Sequence, residues 1–231
     1  MANKGQPQRS GAYQRGEESR QRMIETALDV FGLYGYEGAS TRLLAKGAGV
    51  NLSAIPYYFG GKEGLYRAVA EYVALQIAER QTPVALKARA FLEDPSLTKQ
   101  NALQLLLEIL DTFAATVIGA DDADRWARFV MREQMDPSPA FDILYEGAMK
   151  PMHTVCSALV ARLLDQPADD PNTLIRTTAI IGQVLVFRSA RGLVLKRFGW
   201  KRFTDERVKM IQGVIREQVK SILHDNQGVQ P

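Results

Sequence analysis

The 231-residue chain has one cysteine, Cys156, and two histidines, His153 and His224. A lone thiol excludes an internal disulfide, and no His/Cys/carboxylate spacing suggests a metal site. Cys156 follows His153 by three residues, so a thiol–imidazole pair is possible on one helix face. The plainer arrangement is a small buried thiol beside a helix-face histidine. No phosphate-cradling glycine loop and no dinucleotide fingerprint occurs. Catalysis therefore has little support, and the expectation is a non-enzyme with no cofactor and no metal. No run approaches 18 apolar residues, so no membrane span is expected. The opening residues MANKGQPQRSGAYQRGEESR lack the apolar core of a signal peptide. Their polarity predicts a disordered arm over residues 1–16. With the single cysteine, this composition suits a reducing cytoplasm. Strand-like alternation and internal repeats are missing too.

What is present is concentrated in residues 40–62, STRLLAKGAGVNLSAIPYYFGGK. Ser40 and Thr41 offer hydroxyl caps to a short helix carrying Leu43, Leu44 and Ala45. Gly47 and Gly49 bracket the break after it. Asn51 is then placed as the cap of a second short helix holding Leu52, Ser53, Ala54, Tyr57 and Tyr58. Two helices on so short a turn, the second presenting polar tips, match a helix-turn-helix that lays its recognition helix in a major groove. Double-stranded DNA is the expected partner. Upstream, Met23, Ile24, Ala27, Leu28, Phe31 and Tyr34 recur at helical spacing until Gly35. Downstream, Lys62 opens a helix carrying Leu65, Val69, Tyr72, Val73 and Gln76. A helix start supplies free N–H groups and a positive dipole end, which suits a phosphate.

Charge agrees modestly with that reading. Residues 1–67 hold nine Lys and Arg against six Asp and Glu, while the remainder holds twenty of each. Lys4, Arg9, Arg15, Arg20 and Arg22 are candidates for phosphate or minor-groove contact, or belong to a merely soluble tail. A second basic cluster, Arg188, Arg191, Lys196, Arg197, Lys201 and Arg202, spans fifteen residues without an acid. We read it as a helix C-terminus meeting a loop, where the dipole favours cations.

The stretch FGLYGYEGASTRLLAKGAGVNLSAIPYYFGGKEGLY resembles the N-terminal signature of the TetR family of bacterial transcription regulators. FVMREQMDPSPAFDILYEGAMKPMH and IGQVLVFRSARGLVLKRFGW resemble the C-terminal domain of one subfamily. That subfamily is named after a regulator of cefoperazone and chloramphenicol sensitivity. The resemblance implies that Thr41, Asn51, Tyr57, Tyr58 and Lys62 meet phosphates and that Leu52, Ser53 and Ala54 face bases, with Arg42 in the same DNA-binding set. It also implies a small-molecule effector, a homodimer through the last two helices, a palindromic operator, and repression as the default output. One departure stands out. Pro56 occupies a position where most members have tyrosine. With Asn51 as cap it would be the fifth helical residue, removing one helix bond and crowding the Leu52 carbonyl.

Beyond residue 62 the chain reads as all helix, over 62–81, 83–93, 100–119, 122–135, 138–165, 172–197 and 204–225. Breaks are placed at Pro83, Asp94-Pro95, Gly119, Asp136-Pro137, Gln166-Pro167 and Phe198-Gly199-Trp200. The last two helices are apolar on more than one side, as in a central or partner-shared helix. The fold class is all-α: a three-helix DNA-binding domain over 17–67, a helical effector-binding and dimerisation bundle over 68–226, and a tail at 227–231. Candidate effector-lining residues are Trp126, Phe129, Met149, Met152, His153, Gln183, Phe187 and Arg188. Arg188 would hold an anionic group or pair with Asp142 or Glu146. Two rival readings are an effector-independent architectural DNA binder and a helical interaction module whose motif has decayed.

Overall fold

A computed structural model describes residues 8–94, 98–119 and 123–224. Among these residues every regular element is a helix. They are α1 (Gln8–Gly38), α2 (Thr41–Ala48), α3 (Ala54–Phe59), α4 (Lys62–Leu92), α5 (Lys99–Ala114), α6 (Ala123–Met135), α7 (Pro139–Leu144), α8 (Lys150–Leu164), α9 (Pro171–Ser189), α10 (Arg191–Phe198) and α11 (Asp205–His224). Single π-helical turns, Ala115–Gly119 and Tyr145–Met149, follow α5 and α7. The chain divides into two compact units, 1–73 with 128–144, and 74–127 with 145–231.

In the first unit the stripe on α1 forms the core as its spacing predicts. Met23, Ile24, Ala27, Leu28 and Phe31 are buried with Leu44, Ala45 and Ala48 of α2, Ile55 of α3, and Leu65 and Val69 of α4. Tyr34 is the exception, more than half exposed beside the break at Gly35, where φ is +71°. Phe31, Tyr36, Tyr66 and Phe129 form an aromatic cluster with ring centroids 4.7–6.3 Å apart.

Several local expectations change. The arm placed at 1–16 divides: residues 1–7 lie outside the described residues, whereas 8–16 are helical. A helix nucleated by the buried stripe extends backward without a second nucleation cost. Ser19 Oγ also donates to the Arg15 carbonyl at 2.8 Å. The tail at 227–231 is likewise outside the described residues. Pro83 does not break α4, which runs through it. Pro83 forfeits one bond to the Glu79 carbonyl, and the flanking turns hold the helix together. The predicted helix 138–165 is divided by the π turn at 145–149, and 172–197 breaks at Ala190, where α9 and α10 meet at 71°.

The second unit packs α5 against α8, α9 and α11, with α8 against α9. Its core comprises Leu105, Leu106, Leu110, Cys156, Leu159, Ile180, Ile181, Val184, Ile211, Ile215 and Val219. Thr98 and Asn101 form a reciprocal box at the start of α5, and Asp170 caps α9 ahead of Pro171. Arg216 of α11 donates to the Asp111 carboxylate of α5, Nε at 2.7 Å, and Gln212 donates to the Asp111 carbonyl at 2.8 Å. The stretch Lys99–Gly119 is long and apolar enough to span a bilayer, yet 61% of its most apolar window is buried inside the protein, as befits a core helix.

A candidate nucleic-acid interface

The turn between α2 and α3 is built from three local devices. Ser40 Oγ accepts the Leu43 N–H at 3.1 Å and so caps α2. At the other end Gly49 adopts φ +65°, and its N–H reaches the carbonyls of Ala45 and Lys46. That left-handed conformation costs any Cβ-bearing residue about 1 kcal/mol or more. From α1, Arg22 Nε donates to the Ala48 carbonyl at 3.0 Å, closing an unpaired acceptor at the negative end of α2.

The start of the recognition helix differs from expectation. Helix α3 begins at Ala54, and Asn51 lies outside it; the Ala54 N–H bonds to the Asn51 carbonyl at 2.9 Å, closing a tight turn through Leu52 and Ser53. Pro56 is therefore the third helical residue and not the fifth. In a first turn the missing N–H has little to lose. The neighbouring bonds from Tyr57 N to Ser53 O and from Gly60 N to Pro56 O are formed, at 3.2 and 2.9 Å. Proline is accommodated without breaking the helix.

With Leu44, Ala45, Ala48 and Ile55 turned inward, the opposite faces point to solvent. Arg42, Asn51, Leu52 and Ser53 are exposed, and Tyr57 is 81% exposed. Thr41, Ala54 and Tyr58 are half-buried at the margin, with the Tyr57 and Tyr58 rings edge to face at 4.9 Å. Asn51, Ser53, Ala54, Tyr57 and Tyr58 share one open groove with Ser19, Arg22, Gly49 and Val50. Lys62 stands at the first residue of α4, its Nζ 4.3 Å from the centroid of the Tyr36 ring.

Gly64 carries much of this geometry. A Cβ there would lie 1.7 Å from the Phe59 carbonyl oxygen, so the end of α3 seats directly on the first turn of α4. Neither Gly64 nor Tyr36 nor Arg22 as a helix clamp was legible as part of the site. Their partners lie in other elements, although G-Y and K-E-x-L sit inside the recognised signature. Arg20 also has an internal contact, its guanidinium 5.4 Å above the Phe59 ring.

The effector candidates do not all fall together. Phe129 belongs to the first unit, against Tyr66. Trp126, Met149, Met152, His153, Gln183, Phe187 and Arg188 belong to the second. Arg188 pairs with Asp124, and not with Asp142 or Glu146, and Arg191 reaches the same carboxylate at 3.3 Å. That pairing absorbs two members of the 188–202 basic cluster. Trp126 Nε1 and Gln183 Oε1 are buried without hydrogen-bond partners. His153 is half-buried, and desolvation holds its pKa below the usual imidazole value. Burial pushes the Cys156 thiol up to about 12, which disfavours the thiolate a nucleophile requires. Among the described residues no group of three or more His, Cys, Asp or Glu is placed to hold a metal.

Comparison with known proteins bears directly on this geometry. Residues 23–69 match the family of bacterial regulatory proteins of the tetR family. Residues 102–225 match the C-terminal domain of the HTH-type transcriptional dual regulator CecR. The CecR protein of Shigella flexneri is 32% identical over 209 residues, covering 90% of this chain and 93% of that protein. The HTH-type transcriptional repressor AcnR of Corynebacterium efficiens is 39% identical over 93 residues, 39% of this chain and 48% of that one. Two solved structures share the fold. One is HlyIIR, a hemolysin II transcriptional regulator (19% identity, TM-score 0.57, 86% of this chain and 97% of that one). The other is a transcriptional regulator from Rhodococcus sp. Rha1 (17% identity, TM-score 0.57, 87% and 96%). The exposed helix-turn-helix and the match along both parts of the chain lead to one conclusion: the protein belongs to the TetR family of bacterial transcription regulators, in the group carrying the CecR C-terminal domain, and is a DNA-binding regulator.

Proposed function

We propose that this regulator acts in the cytoplasm as a homodimeric repressor that binds a palindromic operator and leaves it when a small-molecule effector enters its second unit. The observation that carries the reading is the division of the helix-turn-helix into a buried face and an exposed one, which bears Arg42 of α2, Asn51, Leu52 and Ser53 of the turn, and Tyr57 of α3. Leu52 and Ala54 suit thymine methyl groups, and Ser53 hydrogen-bonds without discriminating between bases. Thr41, Asn51, Tyr57, Tyr58 and Lys62 serve the phosphates, fixing register without reading sequence.

Dimerisation is supported by apolar side chains left in solvent on the last helices. Ile175 is 66% exposed on α9, and Met210 and Val214 are 60% and 52% exposed on α11. Neighbours on the same helices, Ile180, Val184, Ile211 and Ile215, are buried, so two apolar faces serve two partners. A two-fold axis places two recognition helices about 34 Å apart, one helical turn of DNA. Effector capture is supported by the orphaned Trp126 and Gln183 groups, which leave hydrogen-bonding capacity inside the bundle. Arg188 is paired with Asp124, but Arg191 shares that carboxylate, so the group of three keeps a net positive charge. A coupling of about 1–3 kcal/mol between the two sites lowers operator affinity about 5- to 150-fold, and the operator weakens effector binding equally.

Selection of random duplex DNA on the purified protein tests the reading, with the winner's affinity measured at two salt concentrations. A palindromic consensus bound at about 10⁻⁸ M or tighter is expected. Weak, salt-sensitive binding with no consensus would refute it.

A further inference from the structure

Arg20 and Arg22 stand two residues apart on α1, and by type and position both qualify for phosphate contact. The fold separates them. Arg20 is half-buried, with its guanidinium 5.4 Å above the Phe59 ring. Arg22 is exposed, and its Nε donates to the Ala48 carbonyl at 3.0 Å. Among the described residues no carboxylate pairs with Arg22, Glu18 one turn earlier included, and its two terminal nitrogens have no protein acceptor. A guanidinium carries five N–H donors in a fixed fork, so four are left over. Arg22 and Ser19 line the same open groove as Asn51, Tyr57 and Tyr58. Helix α1 runs close beside α3 here, since a Cβ at Gly16 would lie 3.5 Å from the Tyr58 hydroxyl.

We propose that Arg22, and not Arg20, is a further DNA contact of this regulator, its free N–H groups holding a backbone phosphate beside the recognition helix. The contact rests on the reading that the exposed face of the helix-turn-helix meets DNA. It lies outside that motif, one residue before the segment 23–69 that matches the family. The donors left over are charged and fork-shaped, which suits two oxygens of one phosphate. The bond to Ala48 holds the guanidinium in place before DNA arrives, so less side-chain freedom is lost on binding. Electrostatics adds a reason for a cation at this point. Gly49, directly after α2, lines the groove, so a phosphate there meets the negative end of that helix. A cation seated on the Ala48 carbonyl offsets the repulsion.

Fluorescence anisotropy of the full-length protein on the selected duplex and on a scrambled duplex, across a salt series, tests the proposal. Arg22→Ala is expected to reduce the slope of log affinity against log salt by about 1 on both duplexes. At about 0.15 M salt that is a loss of about fivefold, because one neutralised phosphate scales affinity as salt to the power of about −0.9. Arg22→Lys keeps the charge and should restore the slope, whereas Arg20→Ala should leave it at the wild-type value. Arg22→Gln keeps a donor for the Ala48 carbonyl, removes the charge, and serves if Arg22→Ala fails to fold. An unchanged slope in the uncharged variants, whatever their melting temperature, would make Arg22 a clamp for α2 alone and overturn the proposal. An equal loss of slope in Arg20→Ala would overturn it as well. The two readings separate cleanly. Tight consensus binding with an unchanged Arg22→Ala slope leaves the operator standing and removes the contact. An Arg22-dependent slope on scrambled DNA, with no consensus from selection, keeps the contact and removes the operator.

Discussion

Tyr66, one turn into α4, donates its hydroxyl to the carboxylate of Glu133 on α6, and Glu133 is 1% exposed. Ser138 completes the site, its N–H and Oγ reaching the second carboxylate oxygen at 3.2 and 2.8 Å. Burying a carboxylate is costly unless its oxygens are paired, and here each has a protein donor. The helix that begins at Lys62 is thereby tied to the α6–α7 corner. Tyr66→Phe removes one donor and should destabilise the protein by about 1–3 kcal/mol in urea unfolding. Burial, then the hydrogen bond to Glu133 and that group's charge, holds the Tyr66 phenol above its ordinary ionisation range. The raised folded-state pKa means its contribution is whole below pH about 10 and declines as pH rises beyond it. Stability of Tyr66→Phe should therefore fall less steeply above pH about 10 than that of the wild type.

Lys62→Ala should weaken binding to every DNA sequence alike and reduce the slope of log affinity against log salt by about 1. A change in sequence preference with an unaltered slope would show that Lys62 does not serve a phosphate. Loss of its contact over the Tyr36 ring should cost only about 0.5–1 kcal/mol of stability.

Two glycines by the recognition helix should differ in how they respond to substitution. Gly49→Ala strains a left-handed residue with open space around it and should cost about 1 kcal/mol. Gly64→Ala drives a methyl into the Phe59 carbonyl, which cannot yield without moving α3 against α4. Thermal melting should show a larger loss for Gly64→Ala, accompanied by loss of operator binding.

Arg188 has a side chain only 9% exposed, while its partner Asp124 is 45% exposed. Asp124→Ala leaves a nearly buried guanidinium facing Arg191 without its shared counter-ion. The exposed partner tempers the cost below that of a fully buried pair, to about 1–3 kcal/mol in chemical denaturation. The double variant Asp124→Ala with Arg188→Met should recover part of it. Absence of recovery would place the cost elsewhere than the unpaired cation.

Val214→Glu sets a charge on the exposed apolar face of α11 and should convert a homodimer to a monomer of 25.7 kDa in sedimentation. Operator affinity should fall with it, because one recognition helix reads only a half-site. A dimer that persists in this variant would move the interface away from α11.

Legibility followed the range of the interaction. The stripe Met23, Ile24, Ala27, Leu28 and Phe31, the Ser40 cap and the Gly49 turn were readable because each depends on residues a few positions apart. Asn51 was a reasonable cap by type, yet the chain spends Leu52 and Ser53 on a turn and starts α3 at Ala54. That choice, invisible in local preference, relieves Pro56. Pro83 likewise reads as a stop, but a helix supported on both sides survives one missing bond.

The sequence by itself determined the helical elements, the helix-turn-helix and the family, because periodicity, capping residues and motif spacing are written along the chain. Tertiary structure decided which polar groups meet. Glu133 lies 67 residues from Tyr66, and Asp124 lies 64 from Arg188. Gln81 finds Thr116 at a separation of 35 while its carbonyl finds nothing. Charges and amides carry no address in sequence. Their partners are set only when apolar faces pack and bring distant helices to hydrogen-bonding distance.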